Sequence, residues 1–400
     1  HILNTCAVTG EATKEAAKAV RRLKAKDPFS TVVVTGCGAQ VDGETFDKLT
    51  GADLVVANSH KGELENILDK YFRGDLESKV FRSNIFRKDD LESGGGLEHD
   101  HTRSFLKIQD GCNSFCTYCV IPFARGKSRS IPALELVKRV EELQASGARE
   151  VVLTGVHIGD YEDGSLVLHD LVRIVLEKTT IERIRLSSLE PVELTPELLA
   201  LYSLSDRMCA HFHMSIQSAN TRVLSGMRRK YTADDVESAL TRIQQMVPGA
   251  FVGMDVIVGF PGETEDEFLD TYTRLEKLPW TRIHVFPYSE RPGTKAAAYE
   301  GVVPRDERTM RSQRLRELSS RRMTETAMLQ VNQVKQVLLL NSPGKSSNGL
   351  SRDYWPVRVE GDSTDFRGRE MPIEITGFDT VSSSRMDGVL VGRLIPEVSL

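Results

Sequence analysis

Apolar residues follow three different rhythms along the chain. Over residues 1–72, short β-rich runs, HILNTC, TVVVTGC and ADLVVAN, alternate with stretches of helical period, Glu11 to Lys26 and Lys61 to Tyr71. Extended runs separated by helical ones build a sheet with helices packed on it, so this region predicts a small N-terminal α/β domain. Residues 73–103, containing KDDLESGGGLEHDH, are charged, glycine-rich and aperiodic, as a linker is. Over 104–329 six apolar runs recur, RSFLKIQ, REVVLTG, IERIRLSS, HFHMSIQ, FVGMDVIVGF and TRIHVFPY, with helical segments between them. Six β/α alternations predict a (β/α)6 barrel or part of one, with chemistry at the C-terminal ends of its strands. Over 330–400 the period changes again: QVKQVLLL, DYWPVRVEG, MPIEITGFD and GVLVGRLI are short strands broken by Gly, Ser and Asp, which predicts a small all-β barrel or sandwich. The fold class is therefore α/β, a partial barrel flanked by two smaller domains.

Composition narrows the class. At 400 residues and 40% hydrophobic content the chain can bury a large core. No apolar run reaches the roughly 20 residues of a membrane helix, so a cytoplasmic location is expected. The sequence opens on His1 inside a strand pattern, so a preceding first element or targeting segment is expected outside it. The net charge of -5 means that a nucleic-acid partner must be met by a local basic surface.

Six cysteines without an export signal point to metal or redox chemistry before disulfides. Three stand in DGCNSFCTYCVIPFARG, as Cys112, Cys116 and Cys119, just past the run FLKIQ and so on a loop at the barrel mouth. Asn113, Ser114 and Thr117 make it a polar, turn-forming loop. Three thiolates leave one position open. A zinc site completed by His101 or His157 is one reading and an inert cluster another; a 4Fe-4S cluster held by three irons, with the fourth free for a ligand, is the third.

The C-x3-C-x2-C loop after the first barrel strand resembles that of radical S-adenosylmethionine (SAM) enzymes, and FLKIQDGCNSFCTYCVIPFARGKSRS resembles their methylthiotransferase branch. LTGVHIGDY, RIRLSSLEP, SIQSANTRVLSGMRRKYT, DVIVGFPGETEDEF and HVFPYSERPGT continue the resemblance in family order across all three domains. Substrates in this branch are tRNA carrying N6-threonylcarbamoyladenosine, tRNA carrying isopentenyladenosine, or a ribosomal-protein aspartate. The wording here is most similar to the threonylcarbamoyladenosine type. A zinc-stabilised RNA-binding module is the reading from outside the class.

The resemblance implies Cys112, Cys116 and Cys119 as ligands of the catalytic cluster, SAM as cosubstrate, the tRNA anticodon stem-loop as partner, and an electron donor such as flavodoxin or ferredoxin. It implies a radical taking hydrogen from adenine C2 and sulfur delivered from a second, auxiliary 4Fe-4S cluster. Cys6 in NTCAVT and Cys37 in VTGCGAQ match two of the three auxiliary ligands; the third belongs to an earlier loop, so the auxiliary cluster is expected to be incomplete in the chain as it stands. By the same resemblance SAM contacts come from strand ends: Thr154, Gly155 and His157; Ser188 and Glu190; Gln217 and Ser218; with Arg229, and with Tyr118 near the adenine. The C-terminal domain resembles the small TRAM-like β-barrel that binds tRNA.

Other residues read more plainly. Cys209 is a small buried hydrophobe, Asp255 a paired interior charge, and Thr264 with Glu267 a helix capping box. MRRKY, residues 227–231, sets three cations beside an aromatic and reads as a phosphate or stacking site. Seven arginines lie between 305 and 322; Arg308, Arg311, Arg314, Arg321 and Arg322 share one helix side, but Leu315 and Leu318 lie there too, which gives no clean basic face. In the C-terminal domain, Tyr354 and Trp355 are candidate stacking groups.

Overall fold

The computed structural model describes residues 1–88, 102–340, 347–361, 363–380 and 388–395. The stretch 89–101, with His101 and the glycine-rich part of the linker, lies outside them.

The N-terminal sheet is parallel, in the order β1 (Ile2–Thr5), β2 (Val33–Gly36), β3 (Leu54–Ala57), β4 (Val80–Phe81). Thr9 caps α1 (Gly10–Lys26) by accepting from Ala12 N, and the helix turns Thr13, Ala17 and Val20 toward the sheet. A short α2 (Cys37–Val41) follows β2, and α3 (Leu64–Arg73) precedes β4. β4 falls in the segment read as linker: two residues cannot display a period of two, and the open edge of β3 decides the pairing, Val55 with Val80 and Val56 with Phe81.

Six parallel strands follow as two triplets, β5 (Arg103–Lys107), β6 (Glu150–Thr154) and β7 (Arg183–Leu186), then β8 (His211–Gln217), β9 (Phe251–Val258) and β10 (Arg282–Pro287). Parallel bridges Ile184 to Met208 and Leu189 to Met214 join the triplets. Each strand alternates in the same sense. Phe212, Met214 and Ile216, Met254 and Val256, and Ile283 and Val285 belong to the core shared with the helices. Their neighbours His211, His213, Gln217, Asp255, Arg282 and His284 line the lumen. The apolar face is outside, under the helices, and the polar face is inside, which suits a barrel that holds ligands and not a packed interior. Capping boxes at Thr232/Asp235 and Thr264/Glu267 start two of the covering helices.

Five strands close the C-terminal barrel: β11 (Val334–Leu339), β12 (Ser347–Ser351), β13 (Pro356–Glu360), β15 (Val389–Leu394) and β14 (Glu370–Asp379), in that spatial order. It plugs the N-terminal end of the larger barrel. Arg183 and Arg185, both essentially unexposed, share Glu150 at 2.8 and 2.9 Å, and donate to the carbonyls of Leu350, Ser351 and Arg352. Arg183 also reaches Glu370 at 2.6 Å. Tyr354 stacks on His211 with ring centroids 3.8 Å apart, and Trp355, 1% exposed, packs on Phe251. The reading of this pair as RNA-stacking groups is corrected: both rings are used at the domain junction. Among the described residues no helix is long and apolar enough to cross a membrane.

Candidate functional site

The loop of Cys112, Cys116 and Cys119 is held from several sides. Gly111 sits at φ +81°, where a Cβ would come 1.9 Å from the carbonyl oxygen of Lys127, so only glycine lets the chain turn there. Cys112 N donates to Gly126 O at 3.1 Å, Thr117 N to Met227 O at 3.1 Å, and Ala296 N to Thr117 O at 2.8 Å. All three thiols are free. Cys112 Sγ lies 3.9 Å from His157 Nδ1, and burial, which alone would raise its pKa, is outweighed by hydrogen bonds from His157 and Ser114, which lower it. Arg229 Nη1 donates to Cys116 Sγ at 3.2 Å. Burial pushes the Cys119 thiol up to about 12, so a thiolate there calls for a bound cation. Three unpaired thiols on one rigid loop, two of them beside cationic or hydrogen-bonding donors, fit a metal cluster that leaves one position to a non-protein ligand. The zinc reading fares less well: Cys112, His157 and Asp160 converge within 4.8 Å, but among the described residues Cys116 and Cys119 do not join that group.

A charged cluster backs the loop. His157 Nε2 lies 2.5 Å from Glu193 and 3.5 Å from Glu190, and its Nδ1 is 3.2 Å from Asp160. Burial opposes protonation of this ring, yet the surrounding carboxylates and Cys112 raise its pKa well above the ordinary value. Arg229 bonds Glu190 at 3.1 Å, Ser215 O at 2.9 Å and the Tyr231 hydroxyl at 2.8 Å. Burial still raises the Glu190 pKa against the pull of Arg229. The RNA reading of MRRKY is thereby corrected: Arg228 at φ +60° reverses the chain, so Arg229 and Tyr231 turn inward and only Arg228 and Lys230 face solvent.

Of the residues expected to touch SAM, Tyr118 and Gln217 line a cavity of about 250 Å³ together with Cys119, Ile257, Phe286 and Asp255. Gly155 packs against Gln109, whose Oε1 accepts from Val156 N and His157 N, so this turn is braced against the cysteine loop. Thr154 ends β6 half-buried. Two expected contacts lie elsewhere. Ser218 turns its hydroxyl to Thr271, 3.2 Å away on the outer helix Glu265–Lys277, and Ser188 lines a second cavity deeper in the lumen. Asp255 pairs with His213 at 3.0 Å, as an interior charge does, and also faces the upper cavity.

The N-terminal domain covers this mouth. Val8 and Thr9 line the same cavity as Tyr118. Cys6 and Cys37 directly follow Thr5 and Gly36, which pair across β1 and β2. Cys6 is exposed, whereas Cys37 is buried and accepts from Arg125 Nε at 3.1 Å and Asn58 Nδ2 at 3.5 Å. Arg125 also reaches both Asp110 oxygens at 3.4 Å, and Arg291 grips Asp42 with two 2.8 Å bonds. Sequence reasoning missed Arg125, Asp160 and Glu193. Arg125 stands in the quoted loop, but nothing local says that a residue 88 positions away is its partner.

Comparison with known proteins adds independent findings. A family model described as Radical SAM superfamily matches residues 106–275, and one described as Uncharacterized protein family UPF0004 matches residues 1–57. The threonylcarbamoyladenosine tRNA methylthiotransferase of Aquifex aeolicus is 38% identical over 90% of this chain and 87% of its own length. That of Bacillus subtilis is 35% identical over 84% of this chain and 76% of its own. The tRNA-2-methylthio-N(6)-dimethylallyladenosine synthase of Syntrophobacter fumaroxidans is 31% identical over 87% and 77%. Among solved structures, the radical S-adenosylmethionine methyltransferase TsrM from Kitasatospora setae, with cobalamin and a 4Fe-4S cluster bound, shares the fold with a TM-score of 0.55, at 16% identity over 74% of this chain and 64% of that one.

Proposed function

The chain belongs to the radical SAM tRNA methylthiotransferase family, and from that premise we propose that it adds a methylthio group to C2 of N6-threonylcarbamoyladenosine next to the anticodon. A 4Fe-4S cluster and SAM supply the hydrogen-atom abstraction that an unactivated aromatic C–H bond requires. The protein's own residues then have to position and to exclude water. Cys112, Cys116 and Cys119 hold the cluster in this reading. Arg229 sets a positive charge against the Cys116 sulfur, and Glu190 keeps that guanidinium in place. His157, fixed by Glu193 and Asp160, steadies the Cys112 end of the loop. Tyr118, Ile257 and Phe286 wall the cavity with apolar surface, and Gln217 offers hydrogen bonds at its rim. Cys6 and Cys37 are two of the three auxiliary-cluster ligands in this reading.

The observation behind the two-site reading is the Arg125 bridge, which ties Cys37 to the base of the cysteine loop. The substrate type is supported by relatives bearing the threonylcarbamoyladenosine name at 38% and 35% identity, against 31% for a dimethylallyladenosine synthase. A tRNA substrate implies a cytoplasmic enzyme that takes electrons from a small donor such as flavodoxin or ferredoxin. Nucleoside mass spectrometry of tRNA from cells with and without the gene tests this. The methylthio derivative of N6-threonylcarbamoyladenosine should be present only with it. Loss of the isopentenyladenosine derivative instead would overturn the substrate assignment.

A further inference from the structure

Below the cysteine loop the lumen contains a second cavity, of about 360 Å³, that hydrogen abstraction does not call for. Arg103, Arg185, Arg282, His211, His213 and His284 line it and, among the described residues, no carboxylate does. The acid beneath this floor, Glu150, is shared by Arg103, Arg183 and Arg185 at 2.8 to 2.9 Å and so is already outnumbered by guanidinium groups. The buried Nδ1 of His211 has no hydrogen-bond partner. Arg103 and Arg185 already bond Glu150 and His213 bonds Asp255, but the guanidinium and imidazole groups that face this space outnumber the carboxylates around it, so it favours an anionic guest over an apolar one.

The two cavities are neighbours along the lumen, separated by the Asp255–His213 pair. Asp255 faces the upper one and lies 3.0 Å from His213, which faces the lower. On β10, Phe286 lines the upper cavity and His284 the lower; same-face neighbours on a strand are about 7 Å apart. An adenine held against the apolar upper walls can therefore extend a short N6 arm into the cationic space.

We propose that the lower lumen receives the carboxylate at the end of the substrate's N6 arm, and that Arg282, His284 and His213 select an anionic N6 substituent over an apolar one. This rests on the threonylcarbamoyladenosine reading given above. Two anions have the required chemistry, the side-chain carboxylate of the nucleoside and a backbone phosphate of the RNA, and binding measurements separate them.

The full chain is titrated with three otherwise identical anticodon stem-loops carrying N6-threonylcarbamoyladenosine, unmodified adenosine or isopentenyladenosine at the target position. The wild-type protein should prefer the first by roughly 10- to 100-fold, the range of a charge-assisted bond or two. Arg282→Gln and His284→Gln should erase most of that preference, and Arg282→Lys, which keeps the charge, should retain much of it and show that the fold survives. An equal fall on all three loops would assign the cavity to a backbone phosphate and overturn the proposal. A wild-type preference for the first loop that persists in Arg282→Gln and His284→Gln would overturn it while leaving the substrate reading intact. A wild-type preference for the isopentenyl loop would overturn the substrate reading itself.

Discussion

Arg125 carries its Nε to within 3.1 Å of the Cys37 sulfur, so a residue of the barrel's cysteine loop holds a cysteine of the N-terminal domain over the barrel mouth. The same guanidinium is anchored by Asp110, one residue before the glycine turn that starts the loop. Together with Arg291, which grips Asp42, this side chain registers the two domains.

Replacing Arg125 by Ala should leave iron at the barrel and SAM cleavage largely in place, and lower methylthio transfer by about 10- to 100-fold, the range for a residue that orients metal ligands without being one. The ratio of methylthiolated nucleoside to 5′-deoxyadenosine formed is the measurement. An unchanged ratio would mean that the bridge has no part in sulfur delivery.

Cys116→Ala should abolish reductive cleavage of SAM and most iron retention at the barrel. The loop backbone is held by Gly126, Met227 and Ala296 and not by this sulfur. Thermal unfolding should therefore shift only slightly, by the 1–3 kcal/mol or so of an orphaned buried donor, here Arg229. Continued 5′-deoxyadenosine production would refute the ligand assignment.

Trp355→Ala should destabilise the protein by about 3–5 kcal/mol, as expected for a large ring removed from a packed core. Urea melts would show it. If Trp355 instead stacked on RNA, stability would hold and only tRNA affinity would fall.

Acid should loosen the junction between the two barrels. Burial alone would raise the Glu150 pKa, but Arg185, Arg103 and Arg183 together hold its carboxyl well below the usual carboxylate range. A carboxyl depressed in the folded state contributes stability that is complete above its unfolded value, about 4.3, and that is lost as pH falls through the folded value. Glu150→Gln should therefore cost roughly 3–5 kcal/mol at pH 7, because Arg103 and Arg185 lose the carboxylate they share and Arg183 keeps only Glu370. The gap from wild type should narrow as pH drops below about 4. A gap independent of pH in denaturant titrations would show that the charge is not what matters.

Local pattern carried much of this protein. The alternating runs mark every long barrel strand, because period-two burial against helices leaves its trace in each strand separately. The spacing of Cys112, Cys116 and Cys119 is a local fact as well, and so is the capping box at Thr264 and Glu267. What only the tertiary structure decided are the partners of charged and aromatic side chains. MRRKY has the composition of a solvated, RNA-facing loop, yet the backbone reversal at Arg228 sends Arg229 to Cys116, 113 residues away. Trp355 has the composition of a stacking group, yet the docking of two barrels buries it on Phe251. Arg103, Arg185 and the pair Arg282 and His284 stand on three different strands, where each passes for an isolated polar residue. Barrel curvature alone brings them to one lumen, because a strand's sequence records which face a side chain takes but not what the neighbouring strands place opposite it.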